Sequence, residues 1–343
     1  MPDASGLTRD AGSGSRSGRG VEPSTPKPFT ATAPLLSVII PTYNRAALLP
    51  NAVSSAALQT QAPAQIVVVD DGSTDETPSV LARLQGVEWV SQANRGPSAA
   101  RNGGMERARG GFIAFLDSDD AWDPEFLSTL VSLLRENQDV GFAFANWRGA
   151  DASGAVTYPD YMAAHPYYHH AGSACGQAWR TLDSRQARAL FLEHSAAPSS
   201  AVVVRRDCAV AWDETVRIGE DNLFLLEVLL KHRCGCAFMT KPLWTKRGSP
   251  ANLCDGNQDA SALARQHLAM AGALLKRHRS ALDWSEVCTV RRGMAADWRD
   301  WAYWEARAGH RRGALGLYGR SFVALPSWRS LRGAAGLLLP RRS

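Results

Sequence analysis

Four short apolar, β-branched runs, Leu35 to Ile40, Ile66 to Val69, Val87 to Val90 and Phe112 to Leu116, alternate with stretches that carry helix spacing or helix-starting residues. Strands that are apolar along most of their length must be covered on both faces, and their alternation with helices is the pattern of a parallel sheet sandwiched by helices. Each run ends in polar residues: Thr42-Tyr43-Asn44, Asp70-Asp71, Asn94-Arg95 and Asp117 to Asp120. Ligands of such sheets bind beyond the carboxyl ends of the strands, so these ends mark one candidate site.

The last end is the most pointed chemically. Phe-Ile-Ala-Phe-Leu runs into Asp117-Ser118-Asp119-Asp120, three carboxylates within four residues. Hard divalent cations prefer oxygen ligands and offset repulsion between neighbouring acids, which suggests a bound metal phosphate and hence nucleotide chemistry. Read as an extended segment, the block puts Asp117 and Asp119 on one side.

Further along, helices are expected over about 46–59, from a capping box formed by Ser73 and Glu76, over 97–109, over 124–137 with Asp123 as cap, and over 221–232. Strands are expected at 140–145, 200–204 and 236–239, and residues 148–183 read as loop, with Tyr158, Tyr161, Tyr167 and Tyr168 beside His165, His169 and His170. The three histidines lack the companions of a zinc site. From about 258 to 319 the pattern is helical, with Trp298, Trp301 and Trp304 spaced to pack along one side against the main domain.

Residues 1–34 are rich in Gly, Ser, Arg and Pro and read as a disordered tail. A main domain is expected over 35–250, in two halves at 35–147 and 148–250, followed by a helical appendage at 251–343. That appendage is basic: residues 291–343 hold 11 Arg against 3 acidic residues, a surplus of +8 beside a whole-chain charge of +5. Peripheral contact with an anionic membrane fits such a tail; no nucleic-acid-reading motif accompanies it. Cysteines 175, 208, 234, 236, 254 and 288 form no CxxC pair and read as reduced thiols, while no apolar stretch has the length of a signal or a membrane span. The expected setting is cytoplasmic, with the cytoplasmic face of the membrane as an extension.

The blocks Leu36 to Asn44, Val67 to Asp75, Asn94 to Asn102, Asp117 to Asp120 and Gly219-Glu220-Asp221, in this order and spacing, resemble the family 2 glycosyltransferases of the GT-A fold. The resemblance covers about residues 35–250. It implies an α/β nucleotide-sugar-binding fold and inverting transfer of a sugar, with Mg2+ or Mn2+, from a nucleotide-sugar donor, a UDP-sugar first, to a glycan or lipid-linked acceptor. It further implies that Pro41, Thr42, Tyr43, Asp71, Arg101, Asp117 and Ser118 contact the nucleotide, and that Asp119 and Asp120 hold the metal. Asp221 would be the general base, with Glu220, Lys246 and Arg247 near the diphosphate or the acceptor.

A dinucleotide-binding dehydrogenase or a sugar nucleotidyltransferase would need a Gly-rich loop after the first strand, where this chain has Pro41-Thr42-Tyr43-Asn44. The remaining alternative is a non-catalytic nucleotide-sugar or anionic-surface binder on the same scaffold.

Overall fold

The computed structural model describes residues 36–174, 178–248 and 260–338. The expected tail at 1–34, Cys175, Cys254 and the last arginines lie outside them. In the first half β1 (Leu36–Thr42), β2 (Gln65–Asp70), β3 (Glu88–Ser91) and β4 (Phe112–Phe115) alternate with α1 (Leu49–Ala57), α2 (Thr77–Leu81) and α3 (Pro97–Arg107). There follow β5 (Ala121–Trp122), α4 (Phe126–Glu136), β6 (Val140–Ala150), β7 (Val156–Tyr158), α5 (Tyr167–His170), β8 (Ser173–Ala174), β9 (Trp179–Leu182) and α6 (Ser184–Glu193). β10 (Val202–Arg205), α7 (Glu220–His232) and β11 (Gly235–Arg247) close the sheet, and α8 (Ala260–His278), α9 (Trp284–Arg307), α10 (Arg311–Ala324) and α11 (Trp328–Leu338) are stacked beside it.

The sheet is mixed and mostly parallel, in the order β3-β2-β1-β4-β10-β6-β11-β9-β8. Strands β1 to β4 pair in parallel, β10 is antiparallel to both β4 and β6, and β11 returns parallel to β6. The reversed β10 matters for the site. Its entrance, not its exit, lies at the carboxyl ends of its neighbours, so the residues just before Val202 reach the same rim as Asp117.

Covering both faces explains the apolar strands. Val67 and Val69 pack on Ala100 of α3, while Val68 joins the larger core with Leu49, Ala52 and Val53 of α1. α3 comes so close that a Cβ on Gly104 would collide with the Ile39 side chain, which is why a helix of low apolarity can still seal that face. Pro41 fits inside β1 because the pairing with β4 has ended at Ile39, and no ladder bond to that strand is lost.

Several local expectations are corrected. The Ser73 and Glu76 capping box does not form: the Ser73 hydroxyl instead accepts the Asn44 N–H at 2.9 Å, and the helix begins only at Thr77. Asp123 caps nothing; its carboxylate takes both arms of Arg148 at 2.7 and 2.8 Å. Residues 148–183 are no simple loop, since they contain β7, α5, β8 and β9, and aromatic stacking orders them: His165 lies on Tyr161 and Tyr167 on His194, each at 3.9 Å. The strand expected at 236–239 runs on to Arg247 through a bulge at Pro242. Trp298 and Trp301 stack on each other under Arg320 of α10 and Arg265 of α8, so they bind the appendage to itself rather than to the sheet.

Candidate active site

At the rim of β1 and β2 the side chains mostly build loops. Asp70 accepts the Ser73 N–H at 3.1 Å and the Ser91 hydroxyl at 2.9 Å, which makes it a turn anchor. Asp71 is buried and accepts N–H bonds from Arg95 at 3.0 Å and Gly96 at 2.7 Å, plus the Gln92 amide at 2.8 Å. It therefore holds the loop that enters α3, a duty that sequence reasoning did not give it. Thr42 lies beside it with its hydroxyl buried and without a partner among the described residues, and Tyr43 stands half-exposed at the mouth.

The acidic block is a turn, not the extended segment expected: the Asp120 N–H donates to the Asp117 carbonyl at 3.0 Å, so alternation does not sort these side chains. Two serines from the entrance of β10 hold it. Ser200 accepts the Asp117 N–H at 3.0 Å and donates to Asp120 at 2.7 Å, and Ser199 donates to the Asp117 carboxylate at 3.2 Å. The other Asp120 oxygen accepts the Arg247 N–H at 3.1 Å, which fixes the end of β11 to the block. Asp120 is thus an interior brace, with Ser118 buried next to it.

Asp119 is part-buried, its side chain 15% exposed against 35% for Asp117, and it pairs with Arg45 at 3.6 Å. Burial pushes its carboxyl above the usual range and the charge of Asp117 adds to the effect, while Arg45 and Lys246 oppose it. Asp120 is raised further, by burial and then by Asp119 and Asp117. Crowded acids of this kind are what a cation relieves.

On the other side of Arg101, Gly219 adopts a left-handed φ of 80° and launches α7, which delivers Glu220 and Asp221 on its first turn. A side chain on that residue would be strained, so the glycine sets where the acids emerge. Burial and then the neighbouring Asp221 push Glu220 up to about 7, against the pull of Arg101. Burial raises Asp221 too, resisted by its bond from the Asn222 N–H and by Arg101 and Lys246.

Arg101 joins the two sides. Its side chain is only 4% exposed, and it donates to Asp117 at 2.8 Å, to Ser199 at 2.9 Å and to Glu220 at 3.3 Å while lying 4.5 Å over the Trp212 ring. Burial alone would lower its pKa, but Asp117 and Glu220 more than compensate, so it stays a cation. Lys246 acts on Asp119 and on Asp221 alike. The candidate residues Asp117, Asp119, Arg101, Glu220, Asp221 and Lys246 therefore form one charged cluster around Asp120, with the Arg247 backbone at its edge.

Sequence reasoning missed Ser199, Ser200, Arg45 and Trp212. A signal existed for the serines: Ser199-Ser200 is a polar pair just ahead of an apolar strand. Recognising its use required knowing that β10 runs backwards.

For the implied cation, among the described residues no group of three or more His, Cys, Asp or Glu is gathered as a protein-only metal site. The donor set still fits a hard ion of the magnesium class, which binds through one or two carboxylates and completes its shell with substrate phosphates and water. Asp119, beside Arg45, and the more exposed Asp117 next to it are the carboxylates that would do this.

A mixed sheet flanked by helices, with an acidic turn and an acid pair beyond the carboxyl ends of its parallel strands, defines a fold of the GT-A type. Solved structures share it: S. aureus TarS residues 1-349 in complex with UDP-GlcNAc superposes with a TM-score of 0.57 at 17% identity over 85% of this chain and 82% of that one. The mannosyltransferase PcManGT of Pyrobaculum calidifontis, in complex with GDP-Man and Mn2+, gives 0.54 at 16% identity over 90% and 85%. The sequence profile of glycosyl transferase family 2 matches residues 37–208, half of the chain, and the chain belongs to that family.

Among curated relatives, an uncharacterized glycosyltransferase of Nostoc sp. is 40% identical over 111 residues, 31% of this chain and 34% of that protein. The GalNAc(5)-diNAcBac-PP-undecaprenol beta-1,3-glucosyltransferase of Campylobacter jejuni is 39% identical over 116 residues, 32% of this chain and 36% of that protein. The chain matches about a third of the length of either relative.

Proposed function

We propose that this protein is an inverting glycosyltransferase that moves a sugar from a nucleotide-sugar donor, a UDP-sugar first, onto a hydroxyl of a glycan or lipid-linked acceptor. The observation that carries the reading is that one buried guanidinium, Arg101, bonds both Asp117 of the acidic turn and Glu220 beside Asp221, so the two acidic groups share one site. A protein that only bound nucleotide sugars would have no use for a buried acid pair across from the acidic turn.

In this reading Tyr43 and Thr42 frame the nucleoside, with Asp71 fixing the loop beneath it. The N-terminus of α3 and the cations Arg45 and Lys246 favour the diphosphate. Asp221 accepts the proton of the acceptor hydroxyl as that oxygen attacks the anomeric carbon from the side opposite the leaving nucleotide, which inverts the configuration. Glu220, held by Arg101, stands next to Asp221 at the start of α7, and Asp117 and Asp119 are the acids that would hold a cation beside the leaving group. A bound Mg2+ or Mn2+ on Asp119 would supply charge neutralisation for the departing diphosphate.

The test is release of nucleoside diphosphate from a panel of nucleotide sugars, measured with and without added manganese. Turnover of one donor class that is lost on chelation, together with loss of donor affinity in Asp119→Ala, supports the reading. Absence of turnover and of donor-induced thermal protection across the whole panel would sink it.

A further inference from the structure

The hairpin of α10 and α11 carries its largest apolar side chains outward. In α11, Ser330 is buried and Gly333, Ala334 and Leu337 are half-buried, so the inner face is made mostly of small residues. Trp328, Leu331 and Leu338 are 77%, 45% and 70% exposed, at helical spacings that align them in one stripe. α10 does the same: Ala314, Leu317 and Ser321 face inward, while Phe322 and Val323 are 37% and 82% exposed. The arrangement is fixed rather than frayed, because the Arg311 guanidinium donates to the Leu337 carbonyl and the Ser321 and Ser330 hydroxyls meet at 2.8 Å.

Positive charge gathers on the same hairpin. From Arg307 to the C-terminus the sequence has no Asp or Glu. Arg312, Arg329 and Arg332 are exposed and have no carboxylate partner among the described residues. Six of the fourteen large apolar side chains exposed among the described residues, Leu315, Phe322, Val323, Trp328, Leu331 and Leu338, lie on this one hairpin. A second copy of the chain would set one cationic hairpin against another.

We propose that this hairpin seats the protein on an anionic bilayer. Among the described residues no helix is long and apolar enough to cross a membrane. The hairpin would lie in the interface plane, with Trp328, Leu331 and Phe322 entering the acyl boundary and the arginines meeting lipid phosphates. The inference is independent of the catalytic reading, because none of these residues belongs to the charged cluster around Arg101.

Sedimentation of the full chain with vesicles tests it, using phosphatidylcholine alone or with added phosphatidylglycerol. Binding is expected only to the anionic vesicles and should weaken as salt is raised. Each arginine removed in Arg329→Gln with Arg332→Gln should weaken binding roughly five-fold. Trp328→Ser with Leu331→Ser should weaken it about ten-fold or more. All four side chains are exposed, so unchanged circular dichroism and melting are expected and keep the variants interpretable. Equal binding to neutral vesicles, no binding at all, or binding untouched by both double variants would overturn the proposal. So would duplex DNA that displaces the vesicles and binds the Trp328/Leu331 variant as well as the parent.

Discussion

Arg101 on α3 and Glu220 at the start of α7 are 119 residues apart in sequence and 3.3 Å apart in space. The same guanidinium holds Asp117 at 2.8 Å, so one buried cation fixes the spacing between the acidic turn and the acid pair. Removing one partner of a buried ion pair strands the others without compensation. Arg101→Met should destabilise the fold by about 3 kcal/mol or more, measured by denaturant unfolding. Arg101→Lys should recover part of that stability but not turnover, because an ammonium lacks the planar fork that reaches both acids. A fully active lysine variant would show that charge alone suffices.

Ser200 bonds the acidic turn twice, accepting from the Asp117 N–H and donating to Asp120. Ser200→Ala leaves a buried acid short of one donor and should cost about 1–3 kcal/mol in unfolding free energy. Donor affinity should fall with it, since the turn loosens. Stability equal to that of the parent protein would remove Ser200 from the site's support.

Asp221→Asn retains shape and removes the proton acceptor. Turnover should drop roughly a hundred- to ten-thousand-fold, with the donor's Kd nearly unchanged, as isothermal titration and product release would report. Loss of donor binding instead would reassign Asp221 to the nucleotide.

Glu220 gives a signed pH effect. Its usual value is 4.5, and burial beside Asp221 pushes it up to about 7. Between these values the folded protein keeps a proton that the unfolded chain has released, so stability falls as pH rises through that window and levels off above it. The melting temperature should decline from pH 5 to pH 7.5 less steeply in Glu220→Gln than in the parent. Equal slopes would mean that Glu220 titrates as an ordinary surface acid.

The strands were legible where the chain is apolar over its whole length, as in β1, β2 and β4, because burial on both faces admits no other pattern. The stretch 148–183 was not legible, since its order comes from stacking partners such as Tyr167 and His194, which no periodicity links. The Ser73 capping box failed for a related reason. A hydroxyl free to cap its own helix was taken by the backbone of Asn44, brought alongside by the pairing of β1 with β2.

Local chemistry in the sequence by itself determined the parallel first half of the sheet, the polar strand ends and the identities of the acids, because each depends on neighbours in the chain. Only the tertiary structure decided that β10 runs in reverse, that Ser199 and Ser200 therefore brace the acidic turn, and that Arg101 ties Asp117 to Glu220. Those are contacts between residues about eighty to 119 positions apart, and their energies exist only once the sheet has closed and excluded water from the charges.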